Sequence, residues 1–194
     1  MANLFRNLEL QAFKAGINPR TKESRDWFRK RASRMRRLNR KAILKDEELI
    51  KTPKHVVGSM QMFFYDPKHK ATLPYFDTFP LSIIMGPAEG GFMGLNLHYL
   101  PPVLRAKFLD GLLDLADSKT YDEDTKFNLR YNMLQRSAKL KYFKPCVKHY
   151  LSKHVKSRFS TVPAPEWEIA TFLPTAQWQK ASANQVYSLS RRMI

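Results

Sequence analysis

The sequence predicts an α+β fold: a small antiparallel β-sheet or partial barrel covered by helices, with an extended basic N-terminal helix and a C-terminal arm. Three observations predict it. Between residues 56 and 99, short apolar and aromatic runs alternate with turn signals, the pattern of antiparallel strands. Between residues 103 and 155, apolar residues recur at helical spacing. From Arg20 to Lys41, eleven Lys and Arg residues stand against only Glu23 and Asp26, strung along a narrow apolar seam. With 194 residues, 43% of them hydrophobic, the chain can bury one core without staples. The expected organisation is an arm and basic helix over 1–52, an α+β core over 53–162 and a C-terminal arm over 163–194. Arms of this kind order on their partners.

Leu4, Phe5, Leu8, Leu10 and Phe13 mark a short N-terminal helix or arm ending at Gly16-Ile17-Asn18-Pro19, a helix stop and turn. In the basic run, Phe28, Ala32, Met35 and Ala42, with Leu38 at the edge, draw one thin stripe. A single docked helix with a cationic outer face is expected. Asp46-Glu47-Glu48 breaks the positive run, and Thr52-Pro53 marks a boundary because the residue before proline is pushed away from helix. Val57 to Tyr65 and Leu81 to Met85 read as strands, separated by turns at Asp66-Pro67-Lys68-His69-Lys70 and Gly86-Pro87-Ala88-Glu89-Gly90-Gly91. Met93, Leu95, Leu97 and Tyr99 alternate with smaller or polar residues, the period of a half-buried strand.

Pro101-Pro102 opens a helix over Val103 to Ala116, where Leu104, Phe108, Leu112 and Leu115 share one face. Thr120 with Glu123 has the form of a capping box, opening a second helix with Phe127, Tyr131, Leu134 and Ala138 inward. A third helix is expected from Pro145, presenting Val147, Tyr150, Leu151 and His154. Arg158 to Val162 reads as a closing strand, Pro163-Ala164-Pro165 as a stiff loop, and Trp167 to Leu173 as strand or helix. A short helix around Gln177 to Ala181 and a basic tail, Arg191-Arg192-Met193-Ile194, complete the chain.

The charge balance narrows the partners. Thirty-four Lys and Arg against 17 Asp and Glu leave +17 at pH 7, a field that attracts phosphates, acidic protein surfaces or anionic membranes. More than half of that excess lies between Arg20 and Lys41. The single cysteine, Cys146, excludes an internal disulfide and a Cys-cluster zinc site. Met1-Ala2-Asn3-Leu4-Phe5-Arg6 has no apolar signal region and no run approaches 18 apolar residues. A soluble protein made in the cytoplasm, with no membrane partner, is the expectation.

The candidate binding residues are Arg20, Lys22, Arg25, Arg29, Lys30, Arg31, Arg34, Arg36, Arg37, Arg40 and Lys41, together with Lys68 and Lys70. Arginine predominates in the helix, and its planar fork makes bidentate contacts to phosphate. A nucleic acid and an acidic neighbouring subunit both suit it. Phe63, Phe64 and Tyr65, with Tyr75, Phe76 and Phe79, are candidate stacking platforms beside Lys68 and Lys70, although alternating aromatics in short strands more often fill a core. Cys146, His149 and His154 are weak as a metal set, since i and i+5 do not share a helix face. Asp110, Asp114 and Asp117 read as a solvated helix face, with docking of a basic arm from another copy as an alternative. No GxSxG, Walker, HExxH or dinucleotide glycine pattern occurs, so no enzyme, cofactor or small-molecule substrate is expected.

Several segments carry a resemblance. The basic helix leads to Gly58-x-Met60, then Phe64-Tyr65-Asp66-Pro67-Lys68-His69-Lys70 and Leu73-Pro74-Tyr75-Phe76-Asp77-x-Phe79-Pro80-Leu81. Gly94-Leu95-Asn96-Leu97-His98-Tyr99-Leu100, Ser157-Arg158-Phe159 and Trp167-x-Ile169-Ala170-x-Phe172-Leu173-Pro174 follow. Over roughly residues 22 to 192 this pattern resembles a family of small virion proteins of large contractile-tailed bacteriophages, variously labelled virion proteins or DNA-end protectors. The resemblance implies a structural component made in the bacterial cytoplasm and built into the virion. Taken with the basic helix, the favoured expectation is a non-enzymatic structural component that contacts DNA by charge, without sequence readout, near the head-tail region, with other virion proteins as further partners. The rival is a tail, neck or baseplate protein whose basic arms dock on acidic neighbours.

Overall fold

The computed structural model describes residues 4–19, 21–35, 38–47 and 49–192, the side chains of 116 and 117 excepted. Its helices are α1 (Leu4–Lys14), α2 (Lys22–Ser33), α3 (Arg40–Ile43), α4 (Pro102–Asp117), α5 (Glu123–Lys139), α6 (Trp167–Phe172) and α7 (Ala183–Arg192). Its strands are β1 (Ile50–Thr52), β2 (Met60–Met62), β3 (Phe76–Asp77), β4 (Leu81–Ala88), β5 (Gly91–Asn96), β6 (Val147–Leu151), β7 (Phe159–Val162) and β8 (Trp178–Gln179). The main sheet is antiparallel, in the order β1-β7-β2-β4-β5-β6, and β3 pairs with β8 in a second, two-stranded sheet. It is an α+β fold with an open sheet rather than a closed barrel.

Both faces of the sheet are covered. On one, Met60, Met62, Leu81, Ile83, Leu95 and Val162 meet residues of α1, α2, α4 and α6, including Phe5, Leu8, Phe28, Leu109, Leu112, Ile169 and Ala170, in the main core. On the other, Phe63, Tyr65, Ile84, Phe92, Tyr150 and Phe159 form an aromatic cluster, with edge-to-face and stacked ring pairs such as Phe63–Tyr150 at 5.2 Å. The alternation of Ile83 and Ile84 into opposite cores follows from the two-residue period of a strand. β4 therefore reads as a continuous apolar run because it is buried on both sides. The β4–β5 hairpin turns through Glu89-Gly90, with Gly90 at φ 67, a left-handed conformation that favours glycine. A bulge between Ile84 and Gly86 shifts the register there.

Several elements differ from the sequence reading. The basic segment forms two helices, not one. Thr21 and Ser24 cap α2 reciprocally, α2 ends at Ser33, and Asn39 caps α3 by accepting from Ala42 N at 3.1 Å. Met35 and Leu38 reach the core from the connection between them, while Ala42 is exposed. The N-terminal segment is packed on the body through Phe5, Leu8 and Ala12.

The third helix expected from Pro145 is instead β6, because the free edge of β5 offers a ladder that Val147 to Leu151 completes. The short helix expected around Gln177 to Ala181 is replaced by β8, whose Trp178 and Gln179 pair with Asp77 and Phe76. Trp167 to Phe172 is helical and buried almost all round. α5 is capped by Asp122, which accepts from Thr125 N at 2.8 Å, rather than by Thr120. Of its expected inner face Leu134 is buried, whereas Phe127 is 42% exposed.

Candidate nucleic-acid interface

The α2 sequence sorts its cations by face. Ser24, Phe28 and Ala32 are buried against α6 and α1, so Lys22, Lys30, Arg31 and Arg34 fall on the solvent side, as does Lys41 on α3. No carboxylate among the described residues pairs with these five. Arg31 lies over the Trp27 ring at 5.2 Å. The other cations are engaged by the chain itself. Arg25 bonds Asp110 on α4 and approaches buried Glu168 at 4.0 Å. Arg29 pairs with Asp26 at 2.8 Å, and Lys70 with Asp66 at 2.9 Å. Arg40 donates to the carbonyls of Thr175 and Ala176, both at 2.7 Å. Arg20, Arg36 and Arg37 lie outside the described residues.

Asp110 thus docks the basic helix of its own chain. Burial raises its carboxyl pKa, the Arg25 guanidinium opposes that shift and Asp114 adds to it. The Asp117 side chain lies outside the described residues.

A groove of about 450 Å³ opens between the 65–76 segment and the strands β5 and β6. Tyr65, Tyr75, Phe76, Tyr99 and Tyr150 line it, with Lys68, His69, Lys148 and His149. Lys68 and His69 are exposed. Lys148 extends over the Tyr99 ring, its Nζ 3.9 Å from the centroid, and burial pushes its ammonium down to about 8. The loop at 70–73 is held by Lys180, whose Nζ donates to the carbonyls of Lys70, Ala71 and Leu73. Of the aromatics considered for stacking, Phe63 and Phe79 are fully buried and serve packing; Tyr65 and Tyr75 are also buried, each with an edge on the groove, and Phe76 is half-buried on its lining.

Behind the groove lies a polar line that the sequence reading did not single out. His98 Nδ1 is 2.6 Å from Asp77 Oδ2, and His98 Nε2 is 2.9 Å from Thr175 Oγ1. Asp77 also accepts from Asn96 Nδ2 and from the backbone N–H groups of Phe79 and Gln177. Burial alone would raise the Asp77 carboxyl, but His98 and the two backbone donors outweigh it and the pKa is lowered. Burial likewise lowers His98, against the pull of Asp77 and with Arg105 and Arg40 adding to the fall. The consistent assignment is a neutral imidazole donating from Nδ1 to the Asp77 carboxylate and accepting at Nε2 from Thr175.

Thr175 is 0% exposed, so the Asp-His-Thr order here clamps β3, the end of β5 and the 173–177 segment together. The separations along the chain gave no local signal. Asp77 and His98 do, however, stand inside two of the motifs that carry the resemblance.

The Cys146, His149 and His154 set does not converge. Cys146 is buried, with its thiol pushed up to about 12 by burial. His149 Nε2 bonds Glu89 O and His154 Nδ1 bonds Asp66 O.

The comparison with curated proteins and that with solved structures each gave no match. A family model described as Phage T4 terminal DNA protecting protein matches residues 1–192, which takes in the N-terminal helices, the sheet and the groove. The chain belongs to the phage T4 terminal DNA protecting protein family.

Proposed function

We propose that the protein is a non-enzymatic structural component of a tailed-phage virion that holds packaged DNA or its end, without sequence readout, near the head-tail region. The observation that carries this reading is the set of outward cations on α2 and α3: Lys22, Lys30, Arg31, Arg34 and Lys41 have no carboxylate partner among the described residues. Phosphate contacts of this kind position a protein on DNA and carry no sequence information. Membership of a family described as terminal DNA protecting supports the same reading. Arg20, Arg36 and Arg37 belong to the proposed contact set on sequence alone, whereas Arg25, Arg29, Arg40 and Lys70 serve first to hold the chain's own structure.

Other virion proteins are proposed partners as well. Phe13 on α1 is 79% exposed and Tyr142 is 64% exposed, and apolar groups of that size favour contact with a neighbouring subunit in neck, tail or baseplate. The deciding experiment measures binding to random-sequence duplex DNA, linear and closed circular, by fluorescence anisotropy, together with protection of linear ends from an exonuclease. Binding that weakens steeply with salt, with ends protected, supports the reading. Undetectable binding, or binding indifferent to salt, overturns it in favour of docking on acidic subunits.

A further inference from the structure

We propose that the groove between the 65–76 segment and β6 takes the terminal nucleotide of a DNA strand, with its base against the half-buried Phe76 and its phosphate on Lys148. This rests on the reading of the protein as a DNA-end binder and adds the place where the end is recognised. The volume, about 450 Å³, lies within the roughly 300–1,000 Å³ of small-ligand sites. It suits one nucleotide and is too small for a duplex, so only a strand terminus, or a base drawn out of the stack, fits.

Lys148 supplies the anion site. Its ammonium is drawn over the Tyr99 ring and has no hydrogen bond or carboxylate partner among the described residues, which is costly for a desolvated charge and is relieved by a bound phosphate. Lys68 and His69 stand exposed on the lining and add donors toward that phosphate. The one carboxylate on the lining, Asp77, is already occupied by His98, Asn96 and two backbone N–H groups. Tyrosine and phenylalanine faces beside positive charge are what unpaired bases stack on.

The test compares wild type with Lys148→Gln and with the double variant Lys68→Gln/His69→Ala. Each is titrated against linear duplex carrying a short single-stranded end and against a closed circle of the same sequence. Deoxyadenosine 5′-monophosphate and inorganic phosphate are the competitors. The linear-over-circle affinity ratio is expected to fall about tenfold in Lys148→Gln, the loss of one charge-assisted contact. The mononucleotide is expected to displace the linear DNA at concentrations where inorganic phosphate does not.

Should Lys148→Gln fail to fold, as its melting curve would show, the double variant at exposed positions reads the same ratio. A ratio unchanged in both variants overturns the groove while leaving DNA binding in place. Equal competition by inorganic phosphate overturns the nucleotide assignment. A wild type that binds neither DNA overturns the parent reading instead.

Discussion

Replacing Lys30 and Arg34 by Gln tests the cationic face directly. Five outward cations are available on α2 and α3, and each phosphate neutralised on duplex DNA contributes roughly −0.9 to the slope of log affinity against log salt. The described cations therefore give a slope of roughly −4 to −5, and removing two flattens it by roughly 2. The assay is anisotropy of labelled duplex at several salt concentrations. Arg25→Gln is the internal control. It removes a cation of the same segment whose partner is Asp110, so the slope stays near the wild-type value while the melting temperature drops, by the equivalent of about 1 kcal/mol for a partly exposed pair. If Arg25→Gln flattens the slope as much as the Lys30/Arg34 pair, the sorting of cations by face is wrong.

Three further outcomes follow from the buried line and the two cores. Asp77→Ala strands His98, Asn96 and two backbone N–H groups, and is expected to cost about 3 kcal/mol or more in urea denaturation; a loss under 1 kcal/mol would refute the clamp. Acid should destabilise the protein in two stages. His98 and Asp77 both have lowered pKa values in the folded state, so the unfolded chain binds protons first. The contribution of these two groups should be full above about pH 6.5, fall below it by up to about 1.4 kcal/mol per pH unit as unfolded His98 charges, and fall further below the ordinary carboxylate range. A stability flat from pH 7 to 5 would contradict this. Phe92→Ala, in the aromatic cluster with Phe63, Tyr150 and Phe159, should lower stability by about 3–5 kcal/mol in the same denaturation assay.

What could be read from the sequence was what neighbouring residues decide. The α4 helix was legible because Phe108 and Leu112 stand one turn apart on its buried face, although Leu104 of the expected stripe is 40% exposed, and β5 because Leu95 and Met93 alternate with small or polar residues. Where distant partners decide, local pattern failed. Val147 to Leu151 carries enough apolar residues for a helix, yet the open edge of β5 claims it. Trp178 and Gln179 become a strand only because β3 lies a hundred residues earlier in the chain.

The basic segment shows the limit on the site. Its composition pointed to a cationic surface, but nothing local distinguishes Arg25, which meets Asp110, from Lys30, which meets solvent. Lys148 and Thr175 were not marked, and Asp77 and His98 stood only inside the motifs that carry the resemblance, since each is an ordinary residue until the fold brings the four segments together.

The position of β7 has a consequence for how the molecule is made. It sits between β1 and β2, contributing Phe159 to Val162 to ladders on both sides, so β1 and β2 stay unjoined until residues 159–162 have been synthesised. A nascent chain halted near residue 155 would present two unsatisfied strand flanks at once, a configuration prone to aggregation. Assembly of the native state therefore waits on sequence-distant pairings, and fragments ending before residue 162 should be recovered as insoluble material.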